Sequence, residues 1–255
     1  MNTASRVASD LVGLYPRLVD GGLGVIAAFG AKATVDSPYG GKQQPSEFVA
    51  ETHAWLERHE ARVDHGNTLE TPGRVVHELT LHLSFDDEER ELPVMLVADV
   101  EDDCIRDLRV YHSTWPLSGG HLIRRPLMQY DLAERPAEPV GAYHQALAEG
   151  DAEKADACFE PAGCVREPAG GEWVYCGDKR TAWYRAILSQ GPIALHLATI
   201  TDDGETVVFE YVADRWGRES MVPQAGAAAY QRGASGKLAS ARIYDDIEPP
   251  QSLGE

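Results

Sequence analysis

The sequence predicts an α+β protein made of two tandem copies of one domain. Each half begins with apolar residues at helical spacing and continues with segments in which apolar residues alternate at period two. Helices followed by a run of strands is the order typical of the α+β class. Segments of the two halves also align at a nearly constant separation. At 255 residues, the chain is long enough for two ordinary domains, each with its own core.

In the first half, the helical pattern comes before the alternating pattern. Residues 4–19 have helical spacing, although Pro16 must kink or split that helix. The further elements predicted for this half are a glycine-rich connection at 21–24, a strand at 33–35, a turn at 37–41, a helix at 45–59 and an antiparallel meander from 62 to 111 with turns at 72–73, 85–89 and 101–103.

The middle of the chain has the composition of a linker. Residues 115–139 contain four prolines and little periodicity. We therefore expect a first domain over residues 1–116, a linker over 117–138 and a second domain over 139–255.

Three alignments indicate a duplication. Tyr15 matches Tyr143 at a separation of 128 residues. The strand patterns match in the same order, with 75–81 (VVHELTL) on 207–213 (VVFEYVA) at 132 and 105–111 (IRDLRVY) on 238–244 (LASARIY) at 133. Such a constant lag, with small changes in loop length, is typical of a tandem repeat.

Composition narrows the classes of partner. Aspartate and glutamate exceed lysine and arginine by 41 to 23, a net charge of −18, which repels a phosphate backbone. The sequence has no apolar run of about 18 residues and no signal-peptide pattern. We expect a soluble, cytoplasmic protein without a nucleic-acid or membrane partner. The four cysteines form neither a Cys-x-x-Cys pair nor a dense framework, so we expect free, buried thiols.

One stretch of the second half resembles a known family. Tyr143 lies early in a predicted helix, residues 159–168 read FEPAGCVREP, and Gly177 is followed by AWYR at 182–185. This pattern resembles the ketosteroid isomerase-like, nuclear transport factor 2-like superfamily, which includes polyketide cyclase-like proteins. The resemblance implies two cone-shaped α+β-barrel domains, each with helices packed on a strongly curved sheet around an apolar pocket. Because family members pair sheet to sheet, it also implies a pseudo-dimer that is a monomer or a weak homodimer.

The resemblance also implies catalytic roles in the second half. The carboxylate before proline, Glu167, corresponds to the proton-transfer base, Tyr143 to an oxyanion donor and Tyr184 to a supporting phenol. Burial raises the pKa of such a carboxylate toward neutrality, and a phenol that donates to an enolate contributes roughly 3 kcal/mol. The second aspartate of the family's isomerases is missing from the matching residues 226–230.

Strand parity extends this candidate site. One face of the strand at 207–213 is predicted to face the cavity. Asp245 is expected near Glu167. Two neighbouring carboxylates push each other's pKa values apart, so that one can act as an acid and the other as a base. The predicted substrate-binding residues are Tyr184, Trp183, Val207, Phe209 and Tyr211.

The first half departs from the family pattern. Its pre-proline residue is Ser37, and Asp36 precedes it by one place, which reverses the face of a strand. The register places Tyr15, His77 and His112 on the cavity side. We expect a scaffold or substrate-covering half, and the sequence leaves an active first pocket open. His77 and His82 have one residue too many between them for a zinc signature, and no metal or cofactor is expected.

These observations lead to one main functional hypothesis and two alternatives. The main one is a cofactor-independent isomerase, cyclase or dehydratase that acts on a hydrophobic carbonyl compound, such as a natural-product intermediate. The first alternative is an epoxide-opening ether cyclase or epoxide hydrolase, for which Asp36 and Asp245 would matter most. The second is a small-molecule binding or assembly module without catalysis.

Overall fold

The structure is a computed structural model, and it describes residues 3–85, 88–131, 133, 135–171 and 173–247. The chain separates into two compact units, Met1–Gly120 and His121–Glu255. No helix in these described ranges is long and apolar enough to cross a membrane.

The first unit contains one sheet and the helices that cover it. Its elements are α1 (Thr3–Val12), α2 (Leu14–Val19), a 3-10 helix (Leu23–Ala28), β1 (Phe29–Ser37), β2 (Gly41–Gln43), α3 (Pro45–Arg58), β3 (Arg62–Thr71), β4 (Arg74–Phe85), β5 (Glu88–Glu101), β6 (Cys104–Tyr111) and α4 (Trp115–Ser118). The strand order is β2-β1-β6-β5-β4-β3, and only the β1–β6 pair is parallel.

The second unit repeats this plan. Its elements are α5 (Val140–Glu149), α6 (Ala152–Ala157), β7 (Phe159–Arg166), β8 (Val174–Cys176), α7 (Asp178–Ile187), β9 (Ile193–Asp202), β10 (Thr206–Trp216), β11 (Glu219–Arg232) and β12 (Leu238–Ile243). The order β8-β7-β12-β11-β10-β9, with β7 and β12 parallel, is that of the first sheet. The predicted tandem α+β fold is therefore confirmed.

The aligned segments occupy equivalent positions in the two sheets. Residues 75–81 lie in β4 and residues 207–213 in β10, each one strand from an edge. The alignment pairs Glu78 with Glu210, and both are buried. A buried glutamate at the same strand position in both copies supports a common origin of the two sheets.

Local signals explain where several elements begin and end. The predicted first helix is split at Gly13, so Pro16 lies in the first turns of α2, where a missing N–H costs little. Gln44 caps α3 together with Glu47, and Pro45 is the first helical residue. Strand β1 is longer than predicted, because it pairs with β6 at Phe29 and again from Thr34 to Asp36, across a register irregularity.

Part of the predicted linker packs on the second unit. The backbone N–H of Leu122 donates to the carboxylate of Asp246 at 2.7 Å, and that of Ala225 donates to the carbonyl of Arg124 at 2.7 Å. His121 lies 3.1 Å from the other carboxylate oxygen of Asp246. These contacts explain why the second unit begins at His121.

The expectation of four free thiols was wrong. Cys164 on β7 and Cys176 on β8 form a disulfide, whereas Cys104 and Cys158 are free. The two bonded cysteines are direct partners in the antiparallel β7–β8 register. Twelve residues separate them in sequence, and only the hairpin brings their Cα atoms to 4.2 Å.

Candidate functional site

The interior of the second unit is built from aromatic side chains. Tyr143 of α5 is 3% exposed, and its ring centroid lies 5.5 Å from those of Phe159 and Tyr230 and 6.0 Å from that of Tyr184. The alternate residues Val207, Phe209 and Tyr211 of β10 belong to the same core cluster, as the strand parity predicted. The predicted site residues of α5, α7 and β10 therefore share one apolar interior.

Two phenols of this interior are hydrogen-bonded to each other. The hydroxyl of Tyr184 donates to the hydroxyl oxygen of Tyr143 at 3.0 Å. Burial raises the pKa of both groups well above the usual value, so both stay protonated at neutral pH. The O–H of Tyr143 is supported by this bond, which suits it as a donor to a carbonyl oxygen.

Glu167 lies just after β7, and its position is fixed by its neighbours. Its backbone N–H donates to the carbonyl of Trp173 at 2.9 Å. Its half-buried carboxylate accepts from the indole N–H of Trp183 and from the phenol of Tyr175. Burial, the largest effect, raises the pKa of Glu167, and these two hydrogen bonds partly oppose the rise. Trp183 contacts Tyr184 edge to face at 4.9 Å, so Glu167 connects to Tyr143 through two aromatic side chains.

Asp245 follows β12 and is paired with a phenol. The hydroxyl of Tyr211 donates to the Asp245 carboxylate at 2.5 Å. Burial raises the pKa of Asp245 from its usual 3.8 to about 6, against the effect of that bond. Gly226 faces Tyr211 in the β10–β11 register, and a Cβ there would come within 2.6 Å of the Tyr211 ring and 2.8 Å of the Asp245 Cβ. A glycine inside a strand that marks a close approach was the sequence signal for this pair.

The raised pKa values of the two carboxyl groups have separate causes, and the expected coupling between the two groups stays a prediction. Burial is the largest cause of the raised pKa of each, and neither Glu167 nor Asp245 contributes to the shift of the other. Asp245 instead raises the pKa of Tyr211 and of Tyr230. The second unit thus has two acids with raised pKa values, Glu167 and Asp245, and each is hydrogen-bonded to its own aromatic side chains.

The first unit contains a cavity of about 270 Å³. Leu81, Leu92 and Val110 form its apolar base, and Tyr39, which is 59% exposed, lies at its rim. The other residues that line it are Tyr15, Ser37, Gly40, Gln43, Phe48, Glu51, Thr52, Trp55 and His112.

Tyr15 is the most informative residue of this cavity. It is 4% exposed, it lines the cavity, and burial raises the pKa of its phenol well above the usual value. The phenol therefore stays protonated and can donate a hydrogen bond to a ligand in the cavity. His112 lines the same cavity, and its Nδ1 lies 3.1 Å from the carbonyl of Ser113.

Two residues predicted for this pocket do not line it. Ser37 lines the cavity and Asp36 does not, because alternate residues of β1 face opposite sides. His77 is buried against β3 instead, where Thr68 lies 2.8 Å from its Nδ1 and His65 lies 3.3 Å from its Nε2. A register shift in β3 between His65 and Thr68 brings these polar groups to it, and burial lowers the pKa of His77 to about 4.

Sequence reasoning missed the contribution of α3 to this cavity. Phe48, Glu51, Thr52 and Trp55 all line it. Their spacing of three, four and seven residues marks one face of a helix, which was a readable signal. Within the described ranges, no three His, Cys, Asp or Glu side chains are grouped as metal ligands.

Comparisons with known proteins agree with the fold. No protein-family model matches the chain, and no curated protein is detectably similar in sequence. Similar solved structures include a SnoaL-like polyketide cyclase from Jannaschia sp. (12% identity, TM-score 0.38, 44% of this chain and 88% of that one) and an NTF2-like protein of unknown function from Burkholderia pseudomallei (18%, 0.37, 44% and 91%). Bal32a, from a soil-derived mobile gene cassette, is similar at 14% identity and TM-score 0.38, over 43% and 91% of the two chains.

Each of these solved structures covers somewhat less than half of this chain and nearly all of its own. With identities below 20% and TM-scores below 0.5, they say nothing of the reaction, and the assignment of the fold rests on the strand order of the two sheets.

Proposed function

We propose that the second unit is a cofactor-independent acid–base enzyme, an isomerase, cyclase or dehydratase that acts on a hydrophobic, carbonyl-containing small molecule. The observation that carries this proposal is the Asp245–Tyr211 pair, a buried carboxyl with a pKa of about 6 that is held by a phenol at 2.5 Å. A group with a pKa near neutrality exchanges protons efficiently in both directions. A carboxyl in a purely structural ion pair usually has a lowered pKa.

The other groups supply the remaining roles. Glu167, whose pKa is also raised, takes a proton from the carbon next to the substrate carbonyl. The electron pair moves onto the carbonyl oxygen, to which the O–H of Tyr143 donates, supported by Tyr184. Protonated Asp245 then returns a proton to carbon in an isomerisation, or to a departing hydroxide in a dehydration. Val207 and Phe209 belong to the apolar core around these groups, which favours a hydrophobic substrate.

Hydrogen exchange on a simple ketone tests this proposal. The probe is 2-tetralone in deuterated buffer, and NMR follows the loss of its α protons. We expect the protein to accelerate exchange and the Glu167→Gln variant to lose roughly 100-fold or more of that acceleration. Glu160→Gln is the matched control, because Glu160 is bound to the backbone and hydroxyl of Ser235 outside the aromatic core. Equal rates for wild type and Glu167→Gln would remove Glu167 from the mechanism.

A second candidate function belongs to the first unit, which we propose to be a binding pocket without its own proton-transfer base. Ser37 occupies the position of the family's carboxylate, and the phenol of Tyr15 lines the cavity as a protonated donor. Epoxide opening in this unit would need Asp36 as its acid, and Asp36 does not line the cavity.

Binding of 1-naphthol, measured by NMR, tests this second candidate. We expect Tyr15→Phe to weaken binding roughly 5- to 10-fold through loss of one hydrogen bond. Tyr143→Phe, the equivalent change in the second unit, should leave binding in the first unit unchanged. Unchanged affinity in Tyr15→Phe would contradict the proposed role of the hydroxyl.

A further inference from the structure

The Cys164–Cys176 disulfide ties a very short edge strand to the second sheet. Strand β8 has three residues, lies at the end of the strand order and pairs only with β7. Their register consists of three residue pairs, one of which is the disulfide itself. Cys176 is exposed and Cys164 is half-buried. The bond is therefore accessible to small thiols in solution.

This hairpin carries the groups that hold Glu167. Tyr175 lies next to Cys176 on β8, and its phenol donates to the Glu167 carboxylate. The Tyr175 ring stacks on Trp183 with centroids 5.6 Å apart and an interplanar angle of 20°, and the indole N–H of Trp183 donates to the same carboxylate. We call Tyr175 and Trp183 the Glu167 clamp. One half of the clamp lies on helix α7 and the other on the strand that the disulfide secures.

We propose that Cys164–Cys176 is a thiol–disulfide exchange site, and that its opening by a small thiol such as glutathione releases Tyr175 from the Glu167 clamp. The consequence for catalysis rests on the function proposed above. The site itself, and the coupling to the clamp, do not.

The exchange is balanced with two small thiols as the reductant. A thiolate attacks Sγ of the exposed Cys176, a mixed disulfide forms there, and Cys164 leaves as a thiolate that takes a proton from water. A second small thiolate attacks the outer sulfur of the mixed disulfide and forms the oxidised small disulfide. Cys176 is released as a thiolate and is protonated. Two electrons pass from the small thiols to the protein.

The geometry around β8 explains why opening this bond would change the contacts of Glu167. Without the disulfide, the described part of the hairpin keeps two further register pairs, the hydrogen bond from the Glu167 N–H to Trp173 and the stacking of Tyr175 on Trp183. The turn includes Gly170 and Gly171, both with positive φ, and two backbone hydrogen bonds, from Gly170 to Glu167 and from Trp173 to Gly170, hold it. The opposite side of the clamp is secured independently, because Trp183 lies on α7 beside the buried Arg180. Opening therefore affects Tyr175 more than Trp183.

Structural readouts in a simplified background test the proposal. The Cys104→Ser/Cys158→Ser protein keeps only the bonded pair, so every thiol that appears comes from it. This protein is equilibrated in glutathione buffers of increasing reducing strength. We expect two thiols to appear reversibly, the indole N–H resonance of Trp183 to shift in parallel, and the amide of Glu167 to exchange at least roughly tenfold faster. Amides of β10 serve as the internal control and should not change.

A second variant keeps the test decisive. Cys164→Ser/Cys176→Ser should reproduce the reduced state at Glu167 and Trp183 and should not respond to glutathione. Persistence of the disulfide in millimolar reduced glutathione would overturn the proposal, as would reduction without a change at Glu167 and Trp183. None of these readouts requires turnover. A failure of the proposed enzyme activity is therefore distinguishable from a failure of the exchange site.

Discussion

At the scale of single residues, the second unit shows how a backbone position controls the chemistry of its neighbours. Gly226 lacks the Cβ that would collide with both Tyr211 and Asp245, and so it permits their 2.5 Å hydrogen bond. The bond lowers the pKa of Asp245 and burial raises it, with burial the larger effect. The resulting pKa of about 6 is the balance of the two effects.

The pH dependence of stability should reveal Asp245. Because the folded-state pKa of Asp245 is raised, the folded chain binds this proton more tightly than the unfolded chain does. The resulting contribution to the free energy of unfolding is complete below about pH 4 and is lost as pH rises through about 6. Between about pH 4 and about pH 7, we expect the free energy of unfolding of wild type to fall by roughly 2 kcal/mol more than that of Asp245→Asn. Urea unfolding at both pH values measures this difference. An unchanged pH dependence would mean that Asp245 titrates normally.

Gly226→Ala should destabilise the protein. The new Cβ would lie 2.6 Å from the Tyr211 ring, and we expect a loss of about 2 kcal/mol in the free energy of unfolding as the pair moves apart. The matched control is Gly24→Ala, whose Cβ would meet nothing within 4 Å, and we expect a change within about 0.5 kcal/mol. Thermal and urea unfolding give both values. Equal effects of the two changes would contradict the close-approach argument.

At the scale of elements, helix α7 is secured by one buried arginine. Arg180 donates to the carboxylate of Asp156 on α6 at 2.7 Å and to two backbone carbonyls of β7, those of Glu160 and Gly163. Its guanidinium also lies 4.8 Å from the Phe159 ring centroid. The fork of a guanidinium can satisfy these groups together, whereas an ammonium cannot. This helix carries Trp183 and Tyr184, so its position determines the site.

Two substitutions on α7 compare the contribution of this buried contact to stability with that of a surface contact. We expect Arg180→Lys to cost about 2 to 3 kcal/mol, because it leaves buried carbonyl groups without a donor. Arg185→Lys, on the exposed side of the same helix, alters a pair with Glu153 and should change stability by less than about 0.5 kcal/mol. Urea unfolding compares the two variants. A tolerated Arg180→Lys would show that packing alone holds α7.

At the scale of the whole molecule, the two units keep one strand order and have diverged inside it. The first has a described cavity lined by the buried phenol of Tyr15 and by a serine in place of the pre-proline acid. The second has the carboxyls and a network of hydrogen-bonded phenols. Duplication permits such a division, because one copy can lose a function that the other retains.

The oligomeric state is the prediction that belongs to this scale. The resemblance noted in the sequence implies that two such domains in one chain can replace a dimer of single domains. We therefore expect light scattering coupled to size-exclusion chromatography to give the mass of a single chain, or of a dimer that dissociates on dilution. A stable tetramer at low concentration would contradict this expectation.

The sequence by itself determined the order of elements, the duplication and the fold class. These depend on periodicity and on the spacing of glycine and proline, which act locally and are readable in one dimension. The strand alignment at 75–81 and 207–213 was readable because both segments begin with two valines and have a glutamate at the fourth position. Strand parity also placed Asp36 and the pre-proline Ser37 on opposite faces, and of these two only Ser37 lines the cavity.

Only the tertiary structure decided which side chains meet. The disulfide required the β7–β8 register, and the Tyr211–Asp245 bond required a glycine on the neighbouring strand. An irregularity in β3 brings Thr68 and His65 to His77, which does not line the cavity although it shares a strand face with Leu81. The pKa values followed from burial, which depends on everything packed around a group rather than on its sequence neighbours. Contacts between residues far apart in the chain are three-dimensional facts, and local patterns do not encode them one by one.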